Sequence, residues 1–134
     1  MKTLLASIAL ASVLAAPALA RRDTPDVQLQ KLLAGRVAGQ PVSCLPFSQS
    51  ADSQIITGKA IVYKIGGTIY VNRPRSGARD LDDDNILVTR QFGSQLCDSD
   101  SVHLIDRSTR IPRGFVILDK FVPYAKPKGA KTAS

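Results

Sequence analysis

The chain reads as a mainly β (α+β) protein, a small antiparallel curled sheet or barrel with one N-terminal helix. Three observations predict this. From Pro41 onward, short runs rich in Val, Ile, Thr and Tyr alternate with Gly, Pro, Asn and Asp, the punctuation of strands and turns. Every acidic residue is Asp and none is Glu, and Asp favours turns and caps over helix interiors. One segment after Thr24 has leucines at helical spacing.

The first twenty residues are expected to be an address rather than part of the fold. Lys2 provides a positive start, Leu4 to Ala16 is an apolar run, and Ala18-Leu19-Ala20 is a small-x-small cleavage site. That layout predicts a secretory signal peptide over 1–20. The apolar run falls short of the roughly 20 residues that span a bilayer, so no transmembrane segment is expected after cleavage. The expected location is periplasmic or secreted.

Residues 21–40 are expected to form the helix and a linker. Thr24 can cap the helix, Pro25 suits the first helical position, and Asp26 sits where the helix dipole favours a negative charge. Leu29, Leu32 and Leu33 then share one face, and Gly35 is a natural stop. So short a helix is unstable alone in water, so its leucines must pack on the rest of the domain.

Residues 41–124 are expected to form the antiparallel β domain. Val42 to Leu45 reads as the first strand, and Ile55-Ile56 leads to a turn at Thr57-Gly58. Ala60 to Ile65 and Thr68 to Asn72 form a hairpin across Gly66-Gly67, whose two glycines suit a type I′ turn. That turn places Ile65 opposite Thr68, Tyr63 opposite Tyr70 and Val62 opposite Val71, with the Tyr pair and the Val pair on opposite faces. Further strands are expected at Ile86 to Thr89, Val102 to Ile105, Phe115 to Leu118 and Phe121 to Tyr124. Residues 125–134, with Lys126, Lys128 and Lys131 and little to bury, read as a disordered basic tail.

Cys44 and Cys97 are the only cysteines. In an exported chain they are expected to form a disulfide, stabilising by about 4 kcal/mol in the chain-entropy account. With His103 as the lone histidine they make an incomplete zinc set, and C-x-x-C spacing is absent. Asp80, Asp82 and Asp84 have the 1-3-5 spacing of a calcium loop. However, Asn85 stands where the glycine should be and Gln91 where the bidentate Glu should be. The stretch reads as an exposed turn beside arginines. No metal or cofactor is expected.

The chain carries 18 Lys and Arg against 11 Asp, a formal charge of +7, which favours anionic partners. Aromatic residues are few and suit core positions better than a base-stacking platform, so nucleic acid is not the expected partner. Arg73 and Arg75 lie in one loop; Arg107, Arg110 and Arg113 lie in another. If successive strands run up and down, the two loops share one pole. Arginine forks suit phosphate and carboxylate, so these five residues are the expected anion-binding site. The leading functional reading is an exported, non-catalytic cell-envelope module binding an anionic or protein partner. The alternatives are a small hydrolase using His103 with loop Asp residues such as Asp106, and a purely structural envelope protein. No G-x-S-x-G, phosphate loop or dinucleotide fingerprint supports a specific chemistry.

The stretch from Cys44 to Pro123 resembles an uncharacterised family of small exported bacterial proteins. The residues that carry the resemblance are Cys44, Ala60-Ile61-Val62-Tyr63, Gly67-Thr68-Ile69-Tyr70-Val71-Asn72-Arg73, Gln95-Leu96-Cys97 and Phe121-Val122-Pro123. Many members of that family have a second cysteine pair. The corresponding regions here read Ser76-Gly77-Ala78 and Gly114-Phe115-Val116. Joint loss of that pair implies that Cys44 and Cys97 are partners. The resemblance implies fold and compartment and carries no activity.

Overall fold

The computed structural model describes residues 14–17, 21–46, 52–90 and 93–128. Most of the expected signal peptide, including its cleavage site, lies outside them, as does the tail from residue 129.

Helix α1 spans Pro25–Leu33. Thr24 caps it: its hydroxyl accepts the N–H of Val27 at 3.4 Å, and Pro25 opens the first turn. Gly35, at φ +71°, lets the chain turn away in a conformation that side-chain-bearing residues avoid. The strands are β1 (Val37–Ala38), β2 (Cys44–Pro46), β3 (Asp52–Ile56), β4 (Ala60–Ile65), β5 (Thr68–Asn72), β6 (Asn85–Thr89), β7 (Gln95–Cys97), β8 (Ser101–Asp106), β9 (Pro112–Ile117) and β10 (Phe121–Ala125).

These strands form three antiparallel sheets, ordered β1-β10-β5-β4-β3, β2-β7 and β6-β8-β9, and none is closed or strongly curled. The expected single curled sheet or barrel is therefore corrected. Successive strands pair where the connection is tight, as in β3-β4-β5 and β8-β9. Elsewhere the chain changes sheets. β7 leaves to pair with β2, β6 pairs with β8, and β10 returns to lie between β1 and β5. The expected strand Val42 to Leu45 is also shifted. Val42 makes an isolated bridge to Phe121, and the strand proper begins at Cys44.

The central hairpin has the expected register, with Ile65 opposite Thr68, Tyr63 opposite Tyr70 and Val62 opposite Val71. Its turn differs from expectation. Gly66 has φ +59°, whereas Gly67 is not in the positive-φ region. Positive φ at the first turn residue alone is the signature of type II′ rather than type I′.

The five-stranded sheet is covered on both faces. On one face, Ile56, Ala60, Val62, Ile69 and Val71 meet Leu29, Leu32, Leu33 and Tyr124. On the other, Ile55, Ile61, Tyr63 and Phe121 meet Leu45 and Leu96 of the two-stranded sheet and Val102, Leu104 and Val116 of the three-stranded one. The rings of Tyr63 and Phe121 meet edge to face, with centroids 5.8 Å apart. Burial pushes the Tyr63 hydroxyl well above its ordinary pKa, so it stays neutral within the core. Cys44 lies opposite Cys97 in the β2-β7 ladder, and the two form the expected disulfide.

Candidate functional site

The structure disperses the expected arginine site. The N–H of Arg75 donates to the carbonyl of Ile117. Its guanidinium donates to the carbonyls of Leu118 at 2.8 Å and Asp98 at 3.0 Å. Arg75 thus ties the β5–β6 connection to the end of β9. Arg107, Arg110 and Arg113 sit at the opposite end of that strand, in and after the β8–β9 turn. Arg73 borders a cleft beside α1 with Asp26, Leu29, Gln30 and Leu33. The up-and-down path that would have gathered the two loops at one pole is absent, because β6 to β9 form their own sheets.

At the start of β9, just after the β8–β9 turn, Arg113 is engaged. Its guanidinium pairs with Asp106 at 2.9 Å. The other oxygen of Asp106 accepts the N–H groups of Ser108 and Thr109, each at 2.9 Å. The Thr109 N–H and then the Arg113 guanidinium hold the Asp106 carboxyl well below the usual carboxylate range. Arg107 and Arg110 have no ion-pair partner among the described residues. Arg110 has φ +61°, a left-handed conformation that favours Gly or Asn over Arg.

Next to this turn is a surface that sequence reasoning did not find. In the sheet β6-β8-β9, Leu87, Val102, Leu104 and Val116 face the core. Alternation along the strands sends Ile86, Val88, His103, Ile105, Phe115 and Ile117 to the other face. Phe115 is 51% exposed and Val88 38%, and Ile111, in the turn, is 56% exposed. The signal was present in the sequence: Ile86-Leu87-Val88 and Phe115-Val116-Ile117 are continuous apolar runs, which place apolar side chains on both faces.

His103 belongs to this outer face. Across the ladder it lies between Val88 and Phe115, with its ring centroid 6.0 Å from that of Phe115. Asp106, three residues along the same strand, points to the opposite face and is spent on the turn. That placement separates the two groups named for a hydrolase.

Asp80, Asp82, Asp84, Asn85, Asp106 and Arg113 line a cleft of about 340 Å³. The carboxylates of Asp82, Asp83 and Asp84 lie within 4.8 Å of one another and are exposed. Asp82 accepts the N–H of Asp84 at 2.9 Å, which makes the group a solvated turn. It does not meet the expected neighbouring arginines as ion pairs; Arg113 meets Asp106 instead.

No protein-family model, curated protein or solved structure matches the chain. Among the described residues no helix is long and apolar enough to cross a membrane. A functional reading therefore rests on the surface itself: an apolar sheet face next to a turn that carries two arginines with no ion pair among the described residues.

Proposed function

We propose that the protein is an exported, non-catalytic cell-envelope module that binds an anionic component of the envelope. The binding surface is the outer face of β6-β8-β9 with the β8–β9 turn. Export is part of the proposal, and the signal-like start and the disulfide support it. The observation that carries the reading is the exposure of Ile111 and Phe115 on the strand and turn that also carry Arg107 and Arg110, neither of which has an ion-pair partner among the described residues. An apolar patch of this kind on a small domain marks an interaction surface, and the adjacent positive charge selects for anions. Of the five arginines expected from the sequence, the reading keeps Arg107 and Arg110 as ligand-facing and assigns Arg75 and Arg113 to holding the fold.

Co-sedimentation with phosphatidylglycerol vesicles and with phosphatidylcholine vesicles tests the reading. Binding to the anionic vesicles should fall with added salt, because exposed charges are screened over roughly 8 Å at physiological ionic strength. Arg107→Ser with Arg110→Ser should weaken it without changing the melting temperature. Equal binding to both vesicle types, or no effect of the double variant, would remove the arginines from any binding role.

A further inference from the structure

Strand β6 is an edge of the three-stranded sheet. Natural edges are normally blunted by a charge, a proline, a bulge or a covering segment. The other edge of this sheet, β9, has all four. It carries Pro112 and Arg113, its register shifts near Leu104 and Ile105, and Ser76 bridges to Ile117. β6 reads Asn-Ile-Leu-Val-Thr, with no charge and no proline, and its pairing with β8 is regular.

The free backbone groups of β6 can be assigned from the ladder. Arg107 donates its N–H to the carbonyl of Asp84 at 3.1 Å. Ile86 lies opposite Ile105 and Val88 opposite His103. Alternate residues of an antiparallel strand direct their N–H and C=O to the same side. Asp84, Ile86 and Val88 therefore bond toward β8, while Asn85, Leu87 and Thr89 direct theirs outward. The Asn85 N–H is taken by the Asp82 carbonyl at 3.0 Å, which among the described residues leaves its C=O and both groups of Leu87 and Thr89 for a new strand. A cleft of about 370 Å³ opens between this edge and β3, lined by Ser53, Gln54 and Ile55 on one side and Asn85, Ile86 and Leu87 on the other.

We infer that this edge docks a second copy of the chain, β6 against β6, antiparallel about a two-fold axis at Leu87. In that register the segment is complementary to itself. Leu87 meets the second copy's Leu87, and each N–H donates to the other's carbonyl. Thr89 donates to the second copy's Asn85 carbonyl. On the outer face Ile86 meets the second copy's Val88, one β-branched side chain against another. Beyond the strand, Asp84 meets the second copy's Arg90, and the same pair forms again across the axis. Neither residue has an ion-pair partner among the described residues. The leucine side chains enter the cleft against Ile55. The product is a continuous six-stranded sheet whose outer apolar face is twice as wide. A closed two-fold contact of this type uses the same surface on both copies. The interface is short, so a dissociation constant in the micromolar range is expected.

Sedimentation equilibrium of the purified, disulfide-bonded protein across the micromolar range tests the inference. The wild type should dimerise with concentration and go no further. Val88→Lys places a charge opposite the second copy's Ile86 and should give a monomer with an unchanged far-UV spectrum. Arg90→Asp should weaken dimerisation about tenfold, since it sets two acids together at both ends of the interface. Asp84→Arg combined with Arg90→Asp should recover it. A protein that stays monomeric throughout would overturn the inference. So would a dimer indifferent to both single variants, or a double variant no better than Arg90→Asp alone.

Discussion

Asn72 grips Asp119 through both backbone groups: its side-chain amide donates to the Asp119 carbonyl, and its side-chain oxygen accepts the Asp119 N–H at 3.2 Å. Asn72 is fully buried at the end of β5, and Asp119 lies in the short return from β9 to β10. One side chain thus fixes where the chain leaves the three-stranded sheet and enters the five-stranded one. Asn72→Leu keeps the bulk and removes the grip. It should destabilise the protein by about 2 kcal/mol, the cost of leaving part-buried backbone groups unpaired, as read by urea denaturation.

The disulfide joins directly opposed residues of the β2-β7 ladder, and that ladder is only three residues long on each strand. Cys44→Ala with Cys97→Ala should cost about 4 kcal/mol. The loss should appear as a lower urea midpoint for the double variant. A loss within about 0.5 kcal/mol, the range of ordinary surface changes, would show that packing of Leu45 and Leu96 suffices.

Gly66 and Gly67 separate backbone strain from steric contact. A Cβ at either would meet no atom within 4 Å, yet only Gly66 has positive φ. Gly66→Val should therefore destabilise by about 1–2 kcal/mol, while Gly67→Val should stay within about 0.5 kcal/mol. Thermal melts of the two variants compare them directly, and equal losses at both positions would restore the type I′ geometry, which needs positive φ at each.

Arg110 offers a stability–function test. Arg110→Gly relieves the left-handed conformation at φ +61° and should stabilise by about 0.5–1 kcal/mol, the net of strain relief and a more flexible unfolded chain. It should also weaken binding to phosphatidylglycerol vesicles. A variant that gains stability and binds equally well would leave Arg107 as the sole cationic contact in that turn.

Asp106 makes the β8–β9 turn acid-sensitive. Its folded-state pKa is depressed, first by the Thr109 N–H and then by Arg113. Its contribution to stability is therefore fully present above the ordinary carboxylate pKa near 4 and is lost as pH falls toward the lower folded value. Asp106→Asn keeps an acceptor for the backbone groups and removes the charge. The wild type should lose more stability than this variant between about pH 5 and pH 2. Parallel melting curves for the two proteins over that range would remove Asp106 as the titrating group.

Several elements could be read from the sequence because their causes are local. Thr24, Pro25 and Gly35 bound α1 through contacts within a few residues. Two glycines between matched strands set the register of β4 and β5 without help from the rest of the molecule. With only two cysteines, the disulfide pairing followed from their count. Even the continuous apolar runs of β6 and β9 contained the outer face that later defined the candidate site.

The pairing of distant strands was decided only in three dimensions. That β10 lies between β1 and β5, that β7 leaves for β2, and that β6 and β9 flank β8 depends on which apolar faces cover one another once the chain closes. No neighbouring residue encodes that choice. The positions of the arginines follow from it. Arg75 and Arg113 carry the same charge, but the sheet arrangement brings Arg75 to the carbonyls of Leu118 and Asp98 and Arg113 to Asp106, leaving Arg107 and Arg110 without an ion pair among the described residues. A side chain's charge is a property of the sequence; whether that charge is spent on the fold or remains for a partner depends on the groups that tertiary packing sets beside it.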